Sequence, residues 1–212
     1  MIKEFSKNIV GTVKKHPQIA VGFAIFSALG AAMLVYYMIR KNKFVRFAKK
    51  WTGEREIAGN MGFENEEFDR LMREYGDFRN SAAWCASFVK MVVMKKVGRR
   101  HEELVDRLIT PSTQATFDNF AKDGSGLFEI TKAPKKGDLV IWQKYQNGMP
   151  TYQGHIGIVE KTNKDTFATI EGNTNDSGGR EGIEVGQMER KYDWTNTNGL
   201  RLRGFIHIKK AI

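Results

Sequence analysis

The sequence predicts an α+β domain, in which a helical layer packs on a mostly antiparallel sheet, preceded by one transmembrane helix. Three observations predict this class. An uncharged apolar run lies near the N-terminus, apolar residues at helical spacing fill the middle of the chain, and strand-like alternation fills the last third. A helix buries every third or fourth residue and a strand every second, so the change of period separates a helical half from a strand half.

The apolar run spans residues 19–39 and reads IAVGFAIFSALGAAMLVYYMI, 21 residues without a charge. About 20 apolar residues are needed to cross a hydrocarbon core of about 30 Å. Basic residues flank the run on both sides, and Tyr36 and Tyr37 stand where interfacial aromatic residues lie. We therefore expect a transmembrane helix rather than a buried core helix or a cleaved signal peptide. The small residues in the run would also allow helix–helix pairing in the membrane.

This run divides the chain into a basic N-terminal segment (1–18), the transmembrane helix (19–39), a basic juxtamembrane linker (40–50) and a folded domain (51–212). The net charge of +10 is concentrated in residues 1–56, which hold 11 Lys or Arg against 3 acids. Because this charge brackets an apolar span, we expect contact with a membrane and no binding of nucleic acid. Topology stays open, since four basic residues before the span against seven after it favour a cytoplasmic domain.

The folded domain divides into four predicted helices followed by five predicted strands. The helices are expected at residues 64–75, 81–98, 102–109 and 112–122. The strands are expected at residues 138–143, 155–161, 166–171, 184–190 and 201–208. Asn80 or Ser81 is the expected N-cap of the second helix, and Ser112 that of the fourth.

Cys85 is the single cysteine of the chain, which excludes an internal disulfide framework and a multi-cysteine zinc site. A thiol is nucleophilic as the thiolate, and a helix N-terminus together with a nearby His lowers its pKa from about 8.5. Cys85 lies in the first turn of its predicted helix, where its unpaired N–H could also stabilise a tetrahedral oxyanion. The plainer interpretation is that a lone cysteine on an apolar helix fills the core.

Among the four histidines, His155 is the best placed to act as a base. In QGHIGIVEK it opens an alternating strand after Gly154, which leaves room for backbone or substrate. The next strand, in FATIEGNTN, carries Glu171 and Asn173 two residues apart, so on an extended chain both point to one face. Either can accept a hydrogen bond from the imidazole and hold the tautomer that takes a proton from sulfur.

Four ordered motifs, AAWCASFV, PKKGDLVIW, GHIGIV and IEGNT, resemble the CHAP group of the NlpC-like, papain-like cysteine peptidases and amidases. Upstream, GEREIAGN resembles the opening of bacterial and phage CHAP-like domains, so the resemblance covers about residues 51–210. It implies a papain-like fold with Cys85 as nucleophile and His155 as base, and it implies no metal or organic cofactor. Glu171 with Asn173 would orient the ring, and because some relatives lack the acid, which of the two does so stays open.

Enzymes with this pattern cut peptidoglycan as N-acetylmuramoyl-L-alanine amidases or as peptide endopeptidases. The resemblance therefore implies a peptidoglycan hydrolase, either anchored in a membrane and facing the cell wall, or a phage lysin or virion component delivered to the envelope. Trp84, Trp142 and Tyr152 are candidates for the wall of the substrate groove, whereas Asp138 is expected only to shape a turn. The alternative is a non-catalytic structural or wall-binding protein of an envelope or phage particle. The intact set of Cys, His and Glu or Asn argues against that alternative.

Overall fold

The computed structural model describes residues 44–175 and 182–209. The described residues belong to one compact unit of the chain. The predicted transmembrane span at residues 19–39 lies outside the described residues. Within the described part, no helix is long and apolar enough to cross a membrane.

The helical half precedes the strand half in the sequence. Residues 44–49 are helical, and they are followed in the described chain by α1 (Glu66–Gly76), α2 (Cys85–Met94), α3 (Glu102–Leu108) and α4 (Thr113–Lys122). A short 3-10 helix, Arg99–His101, leads into α3. The side chain of Ser112 accepts a hydrogen bond from the N–H of Ala115, which confirms Ser112 as the N-cap of α4.

The strand half forms one six-stranded sheet in which every neighbouring pair is antiparallel. Its strands are β1 (Phe128–Thr131), β2 (Leu139–Gln146), β3 (Met149–Thr162), β4 (Thr166–Thr174), β5 (Glu184–Lys191) and β6 (Gly199–Ile208). The spatial order is β1-β6-β2-β3-β4-β5. The predicted α+β class with an antiparallel sheet is confirmed. This order places β3 and β4, which carry His155 and Glu171, side by side.

The sheet has an apolar core on each face. Leu139 and Ile141 belong to the larger core with the helices, whereas Val140 and Trp142 belong to a smaller core, as alternation along β2 requires. In α2, every residue from Cys85 to Val93 is buried, so this helix lies at the centre of the larger core. The smaller core contains Val140, Trp142, Val159, Phe167, Leu202 and Phe205.

The structure differs from the prediction at the start of α2 and in strand β1. Helix α2 begins at Cys85 rather than near Ser81, and its N-cap, Trp84, makes no side-chain capping hydrogen bond. Ser81 has φ of 64°, unlike the extended backbone of an N-cap, and the amide oxygen of Asn80 accepts from Arg73 instead. Strand β1 was not predicted, because four residues are too few to show a clear alternation, and it forms only through pairing with β6.

Candidate active site

Cys85 is the first residue of α2 and lines a groove of about 290 Å³. Only 5% of the residue is exposed. In the described part of the chain, a substrate would reach the thiol through this groove. The first N–H groups of a helix have no partner within the helix, so that of Cys85 is available to a group bound near the sulfur. The groove is lined by Ala83, Cys85, Pro111, Ser112, Thr113, Tyr152, Gln153 and Gly154.

Two glycines of the sequence motifs allow the elements of the site to approach each other. A Cβ at Gly172 would lie 2.6 Å from Cβ of Phe88 and 2.7 Å from Cζ3 of Trp84, so β4 could not pack this closely on the start of α2. A Cβ at Gly157 would lie 2.7 Å from Cγ of Glu171. Gly157 therefore leaves the space on β3 that the Glu171 side chain fills.

His155 is fully buried on β3, where it pairs in register with Trp142 of β2. Its Nε2 lies 2.8 Å from Oε2 of Glu171. Nδ1 makes no hydrogen bond of ordinary geometry with a described residue, yet the ring interacts with the thiol of Cys85. Since Nε2 is occupied by Glu171, Nδ1 is the nitrogen left to face the sulfur. The ring thus connects a thiol to a carboxylate.

The electrostatics of this pair favour transfer of the thiol proton to the ring. Burial opposes charge on Cys85, but the His155 imidazole and the N–H groups of Ile156 and Ala86 outweigh it and lower the pKa of the thiol. Burial also opposes charge on His155, but Cys85 and Glu171 outweigh it and raise the pKa of the ring to about 9. These shifts favour a thiolate–imidazolium pair over a neutral thiol beside a neutral imidazole.

Glu171 is held as a carboxylate by partners on three strands. Arg190 of β5 donates from Nε to Oε1 at 2.8 Å and from a terminal nitrogen to Oε2. Thr169 donates from its hydroxyl to Oε1 at 2.5 Å. Burial alone would raise the pKa of Glu171, but the hydrogen bonds and charges of His155 and Arg190 lower it to about 2.

Neither Thr169 nor Arg190 was identified from the sequence. Thr169 precedes Glu171 by two residues on the same strand, so the alternation that paired Glu171 with Asn173 would also have found it. Arg190 lies 19 residues further along the chain, in a strand that reads as an ordinary half-exposed edge. Only the pairing register of β4 with β5 brings it to Glu171.

The chain does not stay regularly extended from Glu171 to Asn173, although the predicted shared face of these two residues depended on an extended chain. Asn173 has φ of 57°, and the register of β4 on β5 shifts between Glu171 and Thr174. The carbonyl of Asn173 accepts a hydrogen bond from the N–H of Gly182 at 3.0 Å. Of the two residues expected to orient the ring, Glu171 is the one whose side chain is bonded to His155.

The structure buries two of the three aromatic residues that were expected to line the groove. Trp84 is fully buried, packs edge-on against Phe63 at 4.9 Å and donates from Nε1 to Glu56 at 2.5 Å. Trp142 is 4% exposed and stacks on Phe167 in the smaller core. Their apolar area is worth more in the core, where the N–H of Trp84 also has a partner. Tyr152, at 87% exposure, does line the groove.

The remaining histidines lie apart from the thiol or outside the described residues. His207 of β6 is bonded through Nδ1 to Oδ1 of Asp138 at 2.9 Å. Asp138 also accepts the N–H of Lys135 at 2.7 Å, the contact of a residue that shapes a turn. His101 accepts from Arg100 in the 3-10 helix, and His16 is outside the described residues. Among the described histidines, His155 is the one that interacts with Cys85.

Residues 75–173 match the CHAP domain family. The matched stretch is just under half of the 212-residue chain and contains Cys85, His155 and Glu171. The match supports a CHAP-type peptidase or amidase, a class of domain associated with hydrolysis of peptidoglycan. Comparison with curated proteins and with solved structures gave no match. Strand β5, which carries Arg190, lies beyond the matched stretch.

Proposed function

From this CHAP-type domain we propose a peptidoglycan hydrolase that cleaves an amide bond of the wall peptide, as an N-acetylmuramoyl-L-alanine amidase or an endopeptidase. The observation that supports it best is the series Cys85, His155 and Glu171 beside one groove. The thiol pKa is lowered, the imidazole pKa is about 9, and a carboxylate lies 2.8 Å from Nε2. A nucleophile, a base and a group that orients the base are the parts that acyl transfer by a thiol requires.

In the first half of the reaction, the Cys85 thiolate attacks the carbonyl carbon of the bound amide and a C–S bond forms. The carbonyl oxygen becomes an oxyanion, and the N–H of Cys85 in the first turn of α2 is positioned to donate to it. The intermediate then collapses, the C–N bond breaks, and the imidazolium of His155 gives its proton to the leaving amine. The products of this half are a free amine and a thioester on Cys85.

In the second half, neutral His155 takes a proton from a water molecule as the water attacks the thioester carbonyl. Collapse of the second tetrahedral intermediate breaks the C–S bond and releases the acyl part of the substrate, which is the muramoyl side for an amidase and a peptide for an endopeptidase, with a new carboxyl end. The thiolate of Cys85 and the imidazolium of His155 are restored. Glu171 remains ionised throughout, because its pKa is about 2, and it holds the ring in place during both proton transfers.

The groove beside Cys85 is the site at which we expect the substrate to bind. Tyr152 is exposed where it lines the groove, and Pro111 from the loop before α4 and Thr113 at the start of α4 also line it. An extended peptide lying in the groove would pass over Cys85, with the tyrosine ring available to pack against it. We propose that the stem peptide of peptidoglycan binds in this way.

We further propose that residues 19–39 tether the domain to a membrane with the active site facing the wall. A phage lysin, or a virion component delivered to the envelope, would fit the same domain. The seven basic residues after the span, against four before it, oppose an outward-facing domain unless insertion avoids the usual route. Protease accessibility of the domain in right-side-out membrane vesicles, intact and opened, tests the orientation. Digestion only after the vesicles are opened would contradict a domain that faces the wall.

Release of soluble fragments from purified peptidoglycan by the full-length protein tests the proposed activity. The wild type should release fragments, and Cys85→Ala should reduce release to the background of the substrate alone. Ser87→Ala is the matched control, because Ser87 is a small buried residue of the same helix, two positions further on. Equal release by the wild type and Cys85→Ala would contradict the proposal, as would a wild type that binds the wall without releasing fragments.

A further inference from the structure

Building on the proposed function, we infer that Arg190 and Thr169 are positioning residues, which fix the Glu171 carboxylate against Nε2 of His155 and so keep the ring directed at Cys85. Neither residue lines the groove or contacts Cys85. Their effect on the reaction would therefore be indirect, through the geometry and charge of Glu171.

The hydrogen bonds of Glu171 leave its carboxylate one orientation. Oε1 accepts from Nε of Arg190 at 2.8 Å and from the hydroxyl of Thr169 at 2.5 Å. Oε2 accepts from a terminal nitrogen of Arg190 and lies 2.8 Å from Nε2 of His155. A bidentate guanidinium fixes the plane of a carboxylate. Turning Oε2 away from the ring would therefore break both arginine bonds.

The guanidinium is itself held by the aromatic residue next to the catalytic ring. Arg190 lies over the ring of Trp142 at 5.1 Å, and the same indole packs against His155 with centroids 5.8 Å apart. The Arg190 side chain is only 15% exposed, so its charge is poorly screened by water. Trp142 of β2 thus packs against both Arg190 and His155. These two contacts explain why Trp142 is buried rather than placed in the groove.

The charges around Glu171 alternate in sign and balance. They run from the thiolate of Cys85 on α2, through the imidazolium of His155 on β3 and the carboxylate of Glu171 on β4, to the guanidinium of Arg190 on β5. Thr169 from β4 and Trp142 from β2 contribute neutral groups. Without the arginine, the buried site would carry an uncompensated negative charge, and a buried carboxylate in that position takes up a proton or moves toward water.

Arg190→Gln is the variant that tests this role. Loss of the cation should raise the pKa of Glu171 and free its side chain. His155 then loses part of the stabilisation that raises its own pKa, so the imidazolium is lost at lower pH. Alkylation of Cys85 by the iodoacetate anion is favoured by the adjacent imidazolium, so its rate falls when the ring loses its proton. This alkaline limit should fall from about pH 9 by about one unit, a roughly tenfold change in the ring's protonation equilibrium.

The rate of fragment release should fall in the variant that shows a changed pH dependence of Cys85 alkylation. We expect kcat/KM of Arg190→Gln to drop about 10- to 100-fold, the usual scale for losing a residue that orients a catalytic group. Arg190→Lys should recover only part of this, because an ammonium cannot make the bidentate contact. Thr169→Val, which removes one hydroxyl from a residue of the same shape, should give a smaller shift in the same direction and serves if Arg190→Gln does not fold.

Arg203→Gln is the matched control. Arg203 is 24% exposed, donates to Asp118 at 2.5 Å and lies over the ring of Phe117 at 4.3 Å, so it repeats the contacts of Arg190 away from the thiol. This variant should lose similar stability and keep the wild-type pH profile. A purely structural role for Arg190 would likewise lower the folded fraction and leave the pH limits unchanged.

The outcomes separate this inference from the proposed function. A displaced alkaline limit in Arg190→Gln or Thr169→Val, with none in Arg203→Gln, supports the positioning role. A reactive Cys85 whose pH profile is the same in all these variants overturns the positioning role alone. If Cys85 of the wild type reacts like an ordinary thiol and no fragments are released, the proposed function fails as well.

Discussion

Glu171→Gln removes the negative charge opposite Nε2 of His155 and keeps a side chain of nearly the same size. The pKa of His155 is about 9, against 6.5 for an ordinary histidine, which corresponds to about 3 kcal/mol in favour of the imidazolium. Cys85 and Glu171 together provide this preference against the cost of burial. If Glu171 supplies about half of it, its loss costs roughly 1 to 2 kcal/mol, a roughly tenfold change in the protonation equilibrium.

Loss of orientation adds to this electrostatic effect. The amide of Gln can present its NH₂ group to the ring and select the wrong tautomer, which alone costs orders of magnitude in a related catalytic arrangement. We therefore expect kcat/KM for fragment release to fall at least about 100-fold, and its alkaline limit to move down by about one pH unit. The assay is fragment release measured between pH 5 and 10, with fluorescence confirming that both proteins are folded.

Glu160→Gln is the matched control for this experiment. Glu160, on β3, is also a carboxylate with a lowered pKa, but it is paired with Lys49 at 2.5 Å near the surface and has no bond to His155. It should keep the wild-type rate and pH profile. The reasoning fails if Glu171→Gln retains wild-type kcat/KM with an unchanged alkaline limit, because the carboxylate would then neither charge nor orient the ring.

Two further predictions follow from close packing and from exposure. Gly157→Ala places a methyl 2.7 Å from Cγ of Glu171, so it should displace the carboxylate and slow fragment release about 10-fold or more, whereas Gly98→Ala, with nothing within 4 Å, should not. Equal rates for the two variants would contradict this account. Tyr152→Ala removes a side chain from a residue that is 87% exposed, so the free energy of unfolding should change by less than about 0.5 kcal/mol while KM for peptidoglycan rises. An unchanged KM would remove Tyr152 from the substrate groove.

Much of the fold and the centre of the site follow from local patterns in the sequence. The change from helical to alternating spacing separated the helices from the strands, because each pattern depends on the burial of its own face. Cys85 was identified from its place in the first turn of a predicted helix, His155 from its place after Gly154 in an alternating strand, and Glu171 from its place on the next strand. The structure brings these three residues together.

The parts that were missed depend on contacts between distant residues. Arg190 carries no local signal, since its role comes from the register of β5 against β4. Trp84, which precedes Cys85 in the sequence, and Trp142, in the motif PKKGDLVIW, were predicted to line the groove, but each faces a core. The positive φ of Asn173 ended the alternation on which its shared face with Glu171 relied. A local pattern gives no information on any of these three points.

The central claim is that the Cys85 thiolate hydrolyses an amide of the wall peptide, and digestion of purified peptidoglycan in ¹⁸O water tests it most directly. Mass spectrometry of the fragments should show, for each cut by the wild type, one new amine end and one new carboxyl end carrying a single ¹⁸O atom. Cys85→Ala should show neither. New sugar ends without new peptide ends, or the same labelled carboxyl ends from Cys85→Ala, would contradict the account.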